Sequence, residues 1–254
     1  MAKTVSILNQ KGGVGKTTTA VNLSAAIGAA GNRLLLVDID PQGNSTSGYG
    51  INKREIKNSS YELLTGEIKA SEAIIHTEFE NVDLIPANMN LAGAELEIID
   101  MKNRESILRN ALAEIWEDYD YIFLDCPPSL GLITLNALTA SDTFLVPIQC
   151  EYYALEGLSQ LMSTARKIKQ KYNEYLELEG VLLTMYDGRL NLTQQVVAEV
   201  KRFFPKKVYS TTIPRNVRLS EAPGFGQPIM YFDKNSKGAV AYSSLCDEFL
   251  AQQK

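Results

Sequence analysis

The first thirty residues constrain this chain more than any other part of it. A short apolar run at residues 4–8 passes directly into Asn9-Gln10-Lys11-Gly12-Gly13-Val14-Gly15-Lys16-Thr17-Thr18 and then into an Ala-rich stretch. The order is strand, glycine loop, helix. Glycines lack a Cβ, so several backbone N–H groups can converge on one concentrated negative charge. A helix opening at Lys16 aims its positive dipole end at the same point. Lys11, Gly12, Gly13, Val14, Gly15, Lys16, Thr17 and Thr18 are therefore the candidate cradle for a polyphosphate. Lys16 would supply a point charge to the β- and γ-phosphates, and Thr17 a hydroxyl for Mg²⁺. A glycine turn without a ligand is the bland alternative, and two lysines between a strand and a helix argue against it.

The rest of the chain repeats the alternation. Apolar, β-branched runs at residues 33–37, 82–86, 121–124, 143–147, 180–184 and 208–213 read as strands buried on both faces. Helical stretches are expected at 16–30, closed by Gly31, and at 104–116, 155–172, 192–204 and 238–250. This implies an α/β fold, a doubly wound and mainly parallel sheet with helices on both faces. Ligands of such sheets sit beyond the carboxyl ends of the strands. With 254 residues, 45% hydrophobic and 22% charged, one globular domain spanning residues 1–254 is expected.

Other chemistries are disfavoured. Cys126, Cys150 and Cys246 are far apart, without a CxxC pair, which fits a reduced cytoplasmic protein. His76 is the only histidine, so neither a histidine metal site nor a Ser-His-Asp triad can be assembled. The start MAKTVSILN reads as a buried strand, not a leader. No run of about 18 apolar residues suggests a membrane span.

Two strands end in carboxylates. Residues 33–37 run into Asp38-Ile39-Asp40-Pro41-Gln42, and residues 121–124 into Asp125-Cys126-Pro127-Pro128. Phosphoryl transfer needs a metal-holding carboxylate and a group that orients water. Asp125 suits the first role, through a water ligand. Asp38 and Asp40 are the candidates for the second role and for support of the Mg²⁺ shell or of the loop. Each motif alone is ordinary turn chemistry; beside a phosphate loop they form a set.

Charge is distributed unevenly. Between Arg189 and Arg218 lie seven basic residues, Arg189, Lys201, Arg202, Lys206, Lys207, Arg215 and Arg218, against Glu199 alone. That is a net +6 within a chain of net −5, leaving −11 elsewhere. Such asymmetry marks either a face for a polyanion or a solvated mixed surface.

Gln10 stands where the usual phosphate-loop pattern has glycine, and Lys11 adds a second lysine. The result resembles the KGGxGK[ST] signature of the deviant Walker A ATPases, which include ParA and Soj partition proteins, MinD, nitrogenase iron proteins and arsenite pump ATPases. DIDPQGNSTSG (38–48), DYIFLDCPPSLGLITLNAL (120–138), QCEYYALEGLSQL (149–161), EGVLLTMYDGR (179–189) and IPRNVRLSEAPGFGQPI (213–229) extend the likeness over nearly the whole chain, toward the chromosomal Soj/ParA branch.

The resemblance implies several roles. Lys11 would reach across a nucleotide-sandwiched homodimer to the partner's phosphates, and Gly12 would need to stay small for closure. It separates Asp40, the water-positioning group, from Asp38. Pro214 and Asn216, with Met185 a weaker candidate, match positions near adenine. Arg189 and Arg218 match positions implicated in nonspecific double-stranded DNA binding, which converges with the charge count. ATP and Mg²⁺ would close the dimer onto nucleoid DNA, and slow hydrolysis, stimulated by a ParB-like centromere-binding partner, would open it. The end AYSSLCDEFLAQQK lacks the basic amphipathic helix of MinD-like proteins. Cys126 and Cys150 do not resemble the cluster-bridging pair of nitrogenase iron proteins. The chain starts at its first strand, without the helix-turn-helix region of larger plasmid partition proteins. Positioning of a protein cargo and regulation of replication initiation are the alternative uses of the same switch.

Overall fold

The computed structural model describes residues 1–253. Its strands are β1 (Lys3–Ile7), β2 (Leu34–Asp38), β3 (Ile75–His76), β4 (Val82–Ile85), β5 (Tyr121–Asp125), β6 (Thr143–Gln149), β7 (Glu177–Tyr186) and β8 (Val208–Pro214). Its helices are α1 (Lys16–Ala29), α2 (Asn44–Gly48), α3 (Ser60–Thr65), α4 (Ala70–Ala73), α5 (Leu91–Ile98), α6 (Ile107–Leu112), α7 (Leu132–Ala140), α8 (Ala154–Lys171), α9 (Asn191–Phe203), α10 (Val217–Glu221), α11 (Ile229–Phe232) and α12 (Lys237–Gln252). The strands form one sheet in the order β3-β4-β2-β5-β1-β6-β7-β8. All pairings are parallel except β3 with β4.

The continuous apolar runs follow from burial on both faces. Leu34, Leu36 and Phe123 join Val5 and Ile7 in one core, with helices α1, α10, α11 and α12. Leu35, Val37, Ile122 and Leu124 join the other, with α3 and α5 through α9. Period-two alternation therefore exists but distributes apolar groups to both sides. All four β2 residues from Leu34 to Val37 have no exposed surface, and each fully buried side chain contributes roughly 1.5–3 kcal/mol. The sheet is thus a stiff platform for whatever its strand ends carry. The chain leaves β1 toward β2 and β4, returns at β5, and then adds β6, β7 and β8 on the other side. The switch point is at β1, where ligands of doubly wound sheets bind.

Seven strands fall within a few residues of their expected positions. The helix expected at 104–116 is shorter, α6 followed by a 3₁₀ turn at Ala113–Ile115. Asn136 on α7 explains where it begins: its Oδ1 accepts from Leu108 N at 3.2 Å and its Nδ2 donates to Arg104 O at 2.7 Å. The cap comes from a distant helix, so no local signal marks it. α7 itself is buried over most of its circumference and lacks the polar face that would give it a helical period. Among the described residues no helix is long and apolar enough to cross a membrane.

Two glycines on helices give opposite expectations. Alanine normally stabilises a helix interior by about 1 kcal/mol over glycine. At Gly28 on α1 a Cβ would collide with the backbone oxygen of Glu80 and lie 2.5 Å from Val82 Cγ2, whereas at Gly157 on α8 it would meet nothing. Urea unfolding should show Gly28→Ala destabilised by about 1–3 kcal/mol and Gly157→Ala unchanged or stabilised by up to ~1 kcal/mol.

Candidate functional site

The phosphate loop leaves the carboxyl end of β1 and is fixed from outside. Asn9 donates through Nδ2 to Pro147 O at 2.8 Å, and its Oδ1 accepts from Lys11 N at 3.0 Å. Thr184 on β7 donates to Val14 O at 2.7 Å. Gly13 and Gly15 have φ of 73° and 91°, left-handed backbone that glycine adopts without strain. Nothing lies within 4 Å of a Cβ built on Gly12 or Gly13, so the loop's outer side is open. α1 begins with no side-chain cap and no acidic residue in its first turn. Its first N–H groups, those of Lys16, Thr17 and Thr18 among them, and its positive end are left for an anion.

Carboxylates line the other side because of strand register. Asp125 pairs directly with Asp38 across β5 and β2, and with Ile7 across β5 and β1. Asp38 and Asp125 are both fully buried. Ser45 donates to Asp125 Oδ2 at 2.8 Å. Thr46 donates to Asp38 Oδ2 from its backbone N at 2.8 Å and its hydroxyl at 2.7 Å, and Asp40 N donates to Asp38 Oδ1 at 3.2 Å. Both oxygens of Asp38 are therefore engaged by its own loop. Asp125 Oδ1 has no partner among the described residues. Asp40 is 7% exposed and accepts from Gln42 N at 2.9 Å through Oδ1.

Burial pushes the Asp125 carboxyl well above the ordinary range; neighbouring Asp38 adds to the shift, and the hydroxyls of Ser45 and of nearby Thr17 offset part of it. Asp38 is raised by burial against the hydrogen bonds of Thr46. Lys16 is buried, with Nζ donating to Lys11 O at 3.0 Å; burial lowers its pKa, while Asp125 and Asp40 hold it up. Asp125 and Asp40 thus act on one buried ammonium, while Asp125 Oδ1 keeps no hydrogen-bond partner among the described residues. No group of three or more His, Cys, Asp and Glu side chains among the described residues could hold a metal ion by itself. Mg²⁺ characteristically takes one or two protein ligands and completes its shell with phosphate and water, and Thr17 beside Asp125 suits that pattern.

A cavity of about 280 Å³ lies behind α1, but its lining has no link to these carboxylates. A second, of about 270 Å³, adjoins the loop and is lined by Gly15, Thr18, Met185, Pro214 and Asn216 among others. Asn216 Oδ1 is buried without a partner among the described residues, and Met185 holds a left-handed φ of 48°, unusual for its type. Every expected loop, metal and base-pocket residue thus gathers at one end of the sheet.

The other expected residues are placed less simply. Lys11 is exposed, and its ammonium is paired with Glu151 between β6 and α8. Arg189, between β7 and α9, is paired with Asp187 at 2.7 Å. Arg218, on α10, is paired with Glu221 at 2.9 Å and Asp233 at 3.1 Å, over the Phe232 ring. The basic segment is not one patch. α9 carries the chain from the carboxyl end of β7 to the amino end of β8, about 20 Å over its 13 residues. Arg189, Arg215 and Arg218 therefore lie at the phosphate-loop end, and Lys201, Arg202, Lys206 and Lys207 toward the opposite end. Ser45, Thr46, Asn9, Thr184 and Glu151 were not foreseen. Only the hydroxyl pair Ser45-Thr46 had a local signal, its place just after the Asp38 motif.

A family model described as an AAA domain matches residues 2–178. The sporulation initiation inhibitor protein Soj of Bacillus subtilis is 55% identical over 251 residues, covering 99% of both chains. The chromosome partitioning protein ParA of Myxococcus xanthus is 51% identical over 250 residues, covering 98% of this chain and 88% of its own. This chain belongs to the Soj/ParA family of chromosome-partitioning ATPases. A solved structure of cobyrinic acid a,c-diamide synthase from Mycobacterium smegmatis, with bound ATP analogue and magnesium, superposes at a TM-score of 0.90 with 37% identity, covering 100% of this chain and 96% of its own. The Soj/ParA family likeness accounts for the doubly wound sheet and for the phosphate loop at the end of β1.

The buried Asp125 gives a pH signature. Its folded pKa lies above the ordinary value of 3.8, so the folded chain keeps a proton that the unfolded chain has released. Stability contributed by that proton is present at low pH and is lost as pH rises from about 4 through neutrality. In ligand-free protein, Asp125→Asn should remove part of the fall in melting temperature between pH 5 and pH 8. Equal falls in both proteins would show that the carboxyl ionises without penalty.

Proposed function

We propose that this Soj/ParA-family chain is an ATP-driven DNA-segregation switch. It binds ATP with Mg²⁺ beyond β1, closes into a twofold dimer, grips DNA of any sequence, and releases it on hydrolysis stimulated by a ParB-like partner. The supporting observation is unmet demand at one sheet end: an uncapped α1, Lys16 among carboxylates, and the orphan oxygens of Asp125 and Asn216.

The α1 amides and Lys16 take the β- and γ-phosphates. Thr17, with Asp125 acting through water, holds Mg²⁺, whose charge would neutralise the phosphate oxygens; Asp38 steadies that side through its loop. Asn216 Oδ1 accepts from the amino group of adenine. Guanine presents a carbonyl oxygen at the same place, acceptor against acceptor. Asp40, with one oxygen held by Gln42 N, keeps the other to orient water. Lys11 must exchange Glu151 for the partner's phosphates. Both side chains of that pair are nearly half exposed, at 46% and 43%, and such pairs contribute only about 0–1 kcal/mol. Bonds to phosphate in a closed site are stronger, so the exchange is favourable.

Arg189 and Arg218 must likewise exchange their acidic partners for phosphate. Their acid partners are surface ion pairs that DNA phosphates can displace, and two protomers joined by nucleotide add their contacts. The partition name of the relative at 51% identity supports a chromosomal cargo over the synthase chemistry named for a structure at 37%. A nucleoid location follows from the DNA grip.

Fluorescence anisotropy with a duplex of arbitrary sequence, with ATP, ADP or no nucleotide at two salt concentrations, tests the reading. Binding should appear only with ATP. Lys11→Ala should bind ATP yet stay monomeric and off DNA. Arg189→Ala should still dimerise but weaken DNA binding at every sequence, with the salt slope reduced by about one per arginine lost. DNA binding that ignores the nucleotide would refute the switch.

A further inference from the structure

The base pocket and Arg218 share one stretch of chain, residues 214–233, which adenine would touch identically in ATP and ADP. Something else must tell that stretch whether a third phosphate is present, and α2 is connected for this. At its start Ser45 and Thr46 clasp Asp125 and Asp38, the carboxylates beside the phosphate loop. Thr46 Oγ1 also accepts from Ala87 N at 2.9 Å, tying the clasp to the end of β4.

Just past the other end of α2, Gly50 meets Gly226, which closes the 3₁₀ turn at Ala222–Phe225. Their φ values are 75° and 66°. A Cβ on Gly50 would lie 3.1 Å from Gly226 O, and a Cβ on Gly226 would overlap Gly50 Cα. Two backbones touch with no side chain between them, so no rotamer change can absorb a displacement. An aromatic chain runs in parallel: Tyr49 packs on Phe79 at 5.5 Å and Phe79 on Tyr231 at 4.8 Å. Beyond it, Phe232 lies under the Arg218 guanidinium at 5.5 Å and Asp233 is ion-paired with it.

We propose that α2 is a relay: Ser45 is the positioning residue that reads the state of Asp125, and the Gly50–Gly226 contact passes the resulting shift to the segment holding Arg218. This rests on the nucleotide reading above, but not on the DNA reading. Base contacts order the segment with either nucleotide, while α2 adds the part specific to the third phosphate. Dimer closure is a competing cause, because it too would distinguish ATP from ADP.

Amide hydrogen exchange of residues 226–233 tests the relay, comparing ATPγS–Mg²⁺ with ADP–Mg²⁺ in wild type and in Lys11→Ala, with mass by light scattering to identify monomers. Exchange should differ between the two nucleotides by about threefold or more in both proteins, including monomeric Lys11→Ala. In Gly226→Ala and in Ser45→Ala the difference should vanish while each nucleotide still binds, a selective loss that mere structural damage would not produce. Ser45→Ala removes a single hydroxyl and keeps the test available if Gly226→Ala does not fold. No difference in wild type, a difference confined to dimers, or one that persists in Ser45→Ala would each overturn the relay. Failure to bind DNA, with the exchange difference intact, would overturn only the DNA reading.

Discussion

The pairing of Asp125 with Asp38 on neighbouring parallel strands sets two carboxylates side by side at zero exposure, next to a buried lysine. Charges so placed are costly without a compensating ligand, and each carboxyl is pushed toward its neutral form by burial. The sheet can hold them because its central strands are apolar on both faces. Rigidity from packing sustains an electrostatic arrangement that would relax in a softer scaffold. The loop, its lysine, the hydroxyls of α2 and the base pocket are all disposed around that pair.

Two energy scales coexist in the molecule. Inside, hydrogen bonds to Asp38 and Asp125 are dry and specific, and losing one leaves a buried polar group unsatisfied, a cost of about 1–3 kcal/mol. Outside, Lys11, Arg189 and Arg218 each rest on an acidic partner in exposed pairs. Such exposed pairs contribute only about 0–1 kcal/mol each. Salt acts mainly on these exposed pairs, because screening is weak for buried charges.

The basic segment shows how linear charge can mislead. Seven cations within 30 residues marked either one face for a polyanion or a solvated mixed surface. A helix of 13 residues divides them between two ends of the sheet, and Asp187, Glu221 and Asp233, just outside the counted stretch, temper those at the loop end. Arg189 and Arg218 lie at the phosphate-loop end of the sheet, a helix length away from Lys201, Arg202, Lys206 and Lys207.

From its residues alone the chain determined seven of its eight described strands, its four longest described helices, the phosphate loop and the strand-end aspartates. All of these follow from local pattern: apolar runs, glycines without Cβ, and carboxylates where a strand stops. Only the tertiary structure decided that Asp125 faces Asp38, that Asn136 caps α6 from α7, that Asn9 and Thr184 brace the loop, and that Gly50 touches Gly226. Those contacts join residues from 2 to 176 positions apart in the chain, and most depend on register and on the close approach of distant backbones. Sequence periodicity records which face a residue takes, and it carries no information about what that face will meet.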